Sequence, residues 1–222
     1  MPDRPVFLAP LDVRILVGVV AVAYCVLWLL AKRFVMHGGW KILPMVIGLS
    51  AVLFTGNEVR WAVFEGQLAD AVRPSMGGVH PEFACERLLR EGWSSHGRGG
   101  HVRWDRDGPV GAAFLSSGTC AKVKAWQADP AGASLEEVTA VLTVAHEASH
   151  LAGISDEAKA ECSAVQRAVA TMTSLGATRD DAARQVRTYL TSVYPRLAEN
   201  YRSDQCKSGG AMDLTPRDGT WP

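Results

Sequence analysis

Two histidines four residues apart, His146 and His150, flank a glutamate, Glu147, in the stretch HEASH. On an α-helix, side chains at positions i and i+4 project from the same face, one turn apart. Both imidazoles can therefore direct a nitrogen at one point, as a tetrahedral zinc ion requires. A glutamate next to the first histidine can serve as a general base toward water. The pattern predicts a hydrolytic metal site with His146 and His150 as ligands and Glu147 as the base.

A catalytic zinc ion needs a third protein ligand and an open fourth position. Three acids follow the motif closely, namely Asp156, Glu157 and Glu161. Asp156 and Glu157 also have a structural interpretation, because the helix dipole favours acids in a first helical turn and aspartate is a good N-cap. The histidines, too, have an alternative interpretation as ordinary residues of a solvated helix face. Residue types and spacing leave the third ligand open.

The motif and its surroundings resemble zincin metallopeptidases, and more closely the small membrane-anchored bacterial proteins of gluzincin-like type. The resemblance runs from about Glu82 to the C-terminus and is carried by GHVRWD, FLSSGTC, HEASHLAGISDEAKAEC and QCKSGGAMDL. It implies a zinc metalloendopeptidase with one zinc ion, acting on a peptide or protein at the cell surface. The alternative is a catalytically inactive zincin-like domain that binds metal for structure or for partner binding.

Two zincin layouts imply different third ligands. The stretch EAKAE resembles the gluzincin element in which a glutamate, here Glu157, binds zinc and a later acid, here Glu161, holds a histidine N–H. The stretch HEASHLAGISD resembles the short metzincin pattern, which would make Asp156 the ligand. We favour Glu157, with Glu161 and Asp156 as alternatives. By analogy, VGAAFLS would be the edge strand that pairs with an extended substrate.

Several local signals predict the elements that position the motif. Ser134 and Glu137 form the pattern of a capping box at the start of the HEASH helix, and Gly153 is placed to end it. Ser155 or Asp156 would cap the next helix, and a further helix is expected over about 178–193.

Upstream of that helix, the sequence predicts a β-hairpin and two shorter helices. The runs HVRWD and VGAAFLS flank an Asp-Gly turn, which is typical of a hairpin. EFACERLLRE has apolar residues at helical spacing, and Ser117 would cap a helix that extends to about Gln127. The expected fold class is α+β and mainly α, with this hairpin and three to four helices in the C-terminal domain.

The N-terminal sixty residues are far more apolar than the rest. Residues 13–31 are about as long as a membrane-spanning helix, and a second apolar run over 42–54 would span as about 41–57. The basic residues between the runs favour a cytoplasmic loop; they are Lys32, Arg33 and Lys41. We therefore expect a transmembrane helical hairpin in residues 1–64, which contacts the lipid bilayer. A linker over 65–81 and a zincin-like domain over 82–222 would follow, on the extracytoplasmic side of a bacterial cell membrane.

Cysteine content and net charge narrow the function further. Four cysteines lie in the C-terminal part, and an even number fits two disulfides in an oxidising compartment; they are Cys85, Cys120, Cys162 and Cys206. The alternative is four reduced, buried cysteines. Spacing does not give the pairing, although Cys206 near the tail is the partner we favour for Cys162. The chain has 23 Lys plus Arg and 23 Asp plus Glu, so nothing supports binding to nucleic acid.

Five other side chains are weaker candidates for stabilising an oxyanion. They are His101, Arg103, Tyr189, Tyr194 and Tyr201. Hairpin residues of this kind are more often solvated, and tyrosines of this kind more often pack between helices. The tail GGAMDLTPRDGTWP is too specific for a spacer and suggests no mechanism.

Overall fold

A computed structural model of the chain describes residues 10–35, 42–86, 99–216 and 221. In the first two helices, side chains are described over 18–30 and from residue 48 onwards. The chain divides into two compact units, Met1–Phe64 and Glu65–Pro222. The roles predicted for residues 65–81, a linker, and for residues 82–222, a catalytic domain, stay predictions.

The N-terminal unit contains α1 (Pro10–Val35) and most of α2 (Ile42–Val72). The two helices approach closely within this unit, since a Cβ atom on Gly48 would lie 3.3 Å from the Cβ atom of Cys25. Cys25 is buried and is not part of a disulfide.

The predicted transmembrane hairpin is wrong. Within the part of the chain that the structure describes, no helix combines the length and the apolar composition that crossing a bilayer requires. The described side chains of α1 cover only 18–30. Helix α2 continues past its apolar start through Asn57, Glu58, Arg60 and Glu65. Residues 36–41, which include Lys41 of the predicted basic loop, lie outside the described residues.

The C-terminal unit is mainly helical with one small sheet. Its helices are α3 (Ser117–Ala128), α4 (Leu135–Leu151), α5 (Glu157–Ser174) and α6 (Arg179–Ser192). Its strands are β1 (Phe83–Cys85), β2 (Gly100–Asp105) and β3 (Gly108–Leu115). Short 3-10 turns occur at Arg73–Ser75, Tyr194–Arg196 and Glu199–Tyr201.

The sheet has the order β1-β3-β2, in which β1 is parallel and β2 antiparallel to β3. Two sequence expectations need correction here. The segment VGAAFLS falls mostly in β3, which is the central strand, and β2 is an edge strand. The segment expected to be helical from Glu82 instead begins as β1, because its pairing with β3 depends on residues far along the chain; residues 87–98 lie outside the described part.

Helix α4 is the central element of the unit, since α3, α5, α6, β2 and β3 all pack against it. The expected capping box fixes its start: the Ser134 side chain accepts from the Glu137 N–H, and the Glu137 carboxylate accepts from the Ser134 N–H. Helix α3 is capped by Ser116, one residue before the expected cap. Trp126 on α3 is fully buried, and its indole N–H donates to Gln185 on α6 at 2.9 Å. The elements that pack around α4 thus also bond to one another.

Candidate metal centre

The turn between α4 and α5 brings the last turn of one helix beside the first turn of the next. Gly153 has φ +92°, a left-handed conformation in which glycine has no Cβ atom to strain. The Gly153 N–H donates to the His150 carbonyl, and the Ile154 N–H donates to the Ser149 carbonyl. This pair of bonds is the Schellman motif that ends many helices. Asp156 then caps α5 by accepting from the Lys159 N–H at 2.8 Å.

Three side chains converge after this turn. Nε2 of His146 lies 3.0 Å from Oε2 of Glu157, and Nε2 of His150 lies 3.2 Å from the same oxygen. The ligand atoms of these three residues all lie within 4.8 Å of one another. A metal ion could therefore bind all three. Asp156, the alternative ligand, is exposed and acts as a helix cap.

The remaining imidazole nitrogens are held by acceptors, and this orients both rings. Nδ1 of His146 donates to Oε2 of Glu161 at 2.9 Å, and Nδ1 of His150 donates to the Ile154 carbonyl at 2.6 Å. Tyr189 donates its hydroxyl to the other oxygen of Glu161 at 2.5 Å. With each Nδ1 committed as a donor, the Nε2 atoms are the ones available to a metal. Two imidazoles and one carboxylate, oriented in this way, form a donor set that could hold a metal ion.

The charges of this cluster are unbalanced without a cation. Burial opposes a charge on His146, but hydrogen bonds to Glu157 and Glu161 outweigh burial and raise the pKa of His146 to about 9. The hydrogen bond between His146 and Glu157 holds the pKa of the Glu157 carboxyl group below its usual value. Burial raises the pKa of Glu147 to about 7, although the nearby His146 acts in the opposite direction. Three carboxyl groups thus lie close to two imidazoles, an arrangement that a cation would stabilise.

Glu147 lies beside the cluster, 4% exposed, and packs against the first residue of β2. A Cβ atom added to Gly100 would lie 2.8 Å from both Cγ and Oε1 of Glu147. The other carboxylate oxygen, Oε2, is buried and has no hydrogen-bond partner among the described residues. An unsatisfied buried acceptor costs free energy, and this cost favours the protonated form of the Glu147 carboxyl group.

A cleft of about 490 Å³ opens above the cluster. The cluster residues His146, Glu147, His150 and Glu157 lie at its base, and its other lining residues are Gly100, His101, Val102, Trp104, Ser155, Asn200 and Tyr201. Trp104 meets the His150 ring edge-on at 6.2 Å, and Tyr201 lies 5.5 Å from the His146 ring. The Glu157 side chain is 35% exposed, so solvent reaches the cluster from this cleft.

The weaker sequence candidates fall in different places. His101 and Tyr201 line the cleft, whereas Arg103 lies over the Phe114 ring. Tyr189 is buried behind His146, and the Tyr194 hydroxyl accepts from the Ser203 N–H. Sequence reasoning missed Gly100, Trp104 and Asn200. The glycines before β2 were a visible signal, but nothing in the sequence placed them against Glu147.

Two disulfides flank the site. Cys85–Cys120 joins β1 to α3, and Cys162–Cys206 joins α5 to the C-terminal segment, as favoured from the sequence. Disulfides persist in oxidising surroundings.

Comparisons of the chain with protein-family models, with curated proteins and with solved structures found no match. The functional argument therefore depends on the geometry of the site.

The contact between Gly100 and Glu147 predicts a specific coupling. Gly100→Ala should lower the free energy of unfolding by about 1–3 kcal/mol, because the added methyl group overpacks against the carboxylate. In a Glu147→Ala background the same change should cost much less, because the colliding atoms are gone. Chemical denaturation of the four proteins in this double-mutant cycle measures the coupling.

Gly118→Ala is the matched control, since a Cβ atom added there would lie 3.8 Å from Ser116 Oγ, an ordinary contact distance. Its effect should be the same in both backgrounds. Equal costs of Gly100→Ala in both backgrounds would contradict the packing of Glu147 on β2.

Proposed function

We propose that the C-terminal unit is a zinc-dependent metallopeptidase, with His146, His150 and Glu157 as zinc ligands and Glu147 as general base. The observation that carries this proposal is the convergence of both histidine Nε2 atoms on one Glu157 oxygen. A cluster of exposed acids would not require both Nδ1 atoms to be held by acceptors behind it. This donor set is the one expected from the gluzincin-like resemblance.

A bound zinc ion would supply Lewis-acid chemistry, by polarising a carbonyl and by lowering the pKa of water. The residues of the chain supply the rest. Glu147, which lines the cleft, would take a proton from the attacking water and pass it to the departing amine. Glu161 keeps a proton on His146 Nδ1, and Tyr189 keeps Glu161 in place. Buried neighbours thus hold the ligands in orientation while the cleft admits substrate.

An extended peptide is the substrate that the cleft fits best. Strand β2 borders the cleft through Gly100 and Trp104, and among the described strands it pairs only with β3. Its outer edge offers backbone groups for strand addition, in which main-chain hydrogen bonds bind the peptide without regard to sequence. In this proposal β2 takes the role that the resemblance had assigned to VGAAFLS.

The main alternative is a metal site that serves structure alone. Structural zinc sites are closed by four protein ligands, whereas catalytic sites keep one position open. Among the described residues, the cluster contains three ligands, and the cleft lies beside them. These two features favour catalysis. The disulfides support an oxidising compartment, and we propose that the C-terminal unit functions outside the cytoplasm.

Zinc content and peptide cleavage test the proposal together. The purified chain should bind one zinc ion, and His146→Ala should abolish binding, because one of the three ligands is lost. Glu147→Gln should retain the zinc but cleave an unstructured peptide library roughly 10²- to 10⁴-fold more slowly, the range expected for loss of a general base. Metal analysis and mass spectrometry of the peptides measure both effects.

The outcomes test the metal site, the peptidase activity and the role of Glu147 separately. No zinc in the folded wild-type chain, after zinc is supplied, would contradict the metal site itself. Bound zinc with no cleavage of any peptide would contradict the peptidase and favour the structural alternative. Equal cleavage by wild type and Glu147→Gln would contradict the role of Glu147.

The acid behind His146 should affect zinc affinity without touching the metal. Glu161→Gln should weaken zinc binding by about 10- to 100-fold, as expected when the acceptor behind a histidine ligand is altered. Competition with a chromophoric chelator measures the affinity. The matched control is Glu136→Gln. Glu136 lies in the first turn of α4, at the opposite end of the helix from His150, and pairs with Lys122 on α3. Identical affinities in both variants would contradict the role of Glu161.

A further inference from the structure

The C-terminal segment after α6 is built as a compact loop. Gly209 has φ +68°, and a Cβ atom on Gly210 would lie 2.2 Å from the Gln205 carbonyl oxygen. The Asp213 carboxylate accepts from the N–H groups of Gly209 at 2.7 Å and Thr215 at 3.0 Å. The segment has internal hydrogen bonds and glycines at positions where a side chain would be strained or would collide. It is therefore a structured loop, whereas a spacer would need neither feature.

This loop, residues 203–215, is fastened to α5 at two points one turn apart. Cys206 forms the disulfide with Cys162. One turn further along α5, the Gln166 side chain donates to the Met212 carbonyl at 2.9 Å and accepts from the Leu214 N–H at 2.7 Å. We call this arrangement the clasp.

The clasp holds the chain that forms one wall of the cleft. The turn Glu199–Tyr201 packs on α5, immediately before the clasp, and Asn200 and Tyr201 line the cleft. The Tyr201 ring lies 5.5 Å from the His146 ring, tilted by 31°. At the other histidine, Trp104 of β2 fills the corresponding place. One wall of the cleft is thus a sheet strand, and the other depends on a loop that a disulfide restrains.

We propose that the clasp positions Tyr201 as a specificity-determining residue, which contacts the substrate side chain on the His146 side of the cleft. This inference rests on the proposed function for its substrate class, an extended peptide. Cys162, Cys206 and Gln166 act through Tyr201 and are positioning residues. An aromatic ring at this place favours peptides with an apolar side chain next to the bond that is cut.

The two disulfides provide a matched pair for the test. They close loops of similar length, with sequence separations of 35 and 44 residues. Removing either disulfide should therefore lower the free energy of unfolding to a similar extent, because a similar restriction of the unfolded chain is lost. Only the Cys162–Cys206 bond touches the clasp. The experiment therefore compares two double variants of the full chain under conditions in which both are folded. The clasp variant carries Cys162→Ala and Cys206→Ala, and the control variant carries Cys85→Ala and Cys120→Ala.

The first readout needs neither metal nor turnover. In the clasp variant, amide hydrogen exchange of residues 199–215 should accelerate at least tenfold, and the NMR signals of the His146 ring should shift as they do in Tyr201→Ala. The control variant should leave both unchanged. If the clasp variant does not fold, Gln166→Ala, which keeps the disulfide, should give the same changes to a smaller degree.

The second readout is kinetic. The clasp variant and Tyr201→Ala should each raise KM for an apolar peptide by about tenfold, the loss expected for one aromatic contact, with zinc content and kcat little changed. Tyr201→Phe should raise KM far less than Tyr201→Ala, because the substituted side chain keeps the aromatic ring that makes the contact. An unchanged His146 signal and unchanged exchange in the folded clasp variant would overturn the inference. A wild-type chain without turnover would overturn the proposed function, while the first readout would still decide the clasp.

Discussion

The left-handed turn at Gly153 is the constraint on which the site depends. His150 and Glu157 are only seven positions apart, yet they lie on different helices, α4 and α5. The Schellman bonds reverse the chain within this interval and aim the Ile154 carbonyl at His150. The same reversal places the first turn of α5, which carries Glu157, against the last turn of α4. A larger residue with φ near +92° would be strained, and the ligands would separate.

Burying this many polar groups is costly unless each has a partner. For the two histidines, the unit meets the requirement by placing them on the central helix α4 and holding each Nδ1 atom with an acceptor from a neighbouring segment. Glu161 on α5 and Tyr189 on α6 form a hydrogen-bonded line behind His146. Against the effect of burial, hydrogen bonds to Glu157 and Glu161 raise the pKa of His146. The same hydrogen bonds therefore link α4, α5 and α6 and orient the His146 ring.

Local rules gave the parts of the site that lie within one helix or one turn. The spacing of His146 and His150, the capping box at Ser134 and the turn at Gly153 follow from backbone geometry. Spacing alone does not choose among Asp156, Glu157 and Glu161 as the third ligand. The orientation of the first turns of α5 decides which of these acids faces the histidines, and a local pattern does not give that orientation. The strand β1 was read as helix because its partner β3 lies about thirty residues away in sequence. Hydropathy suggested a membrane hairpin, but α2 continues through charged residues. The cleft wall at Tyr201 depends on a disulfide, which no local pattern reveals.

X-ray absorption spectroscopy of the zinc-loaded chain tests the central claim most directly, because it reports the atoms bound to the metal. The account predicts two imidazole nitrogens and carboxylate oxygen at about 2.0–2.2 Å, with no sulfur. In Glu157→Gln, the imidazole signals should remain while the zinc affinity falls. A spectrum with sulfur ligands at about 2.3 Å, or with a single imidazole, would show that zinc binds elsewhere or differently and would contradict the proposed centre.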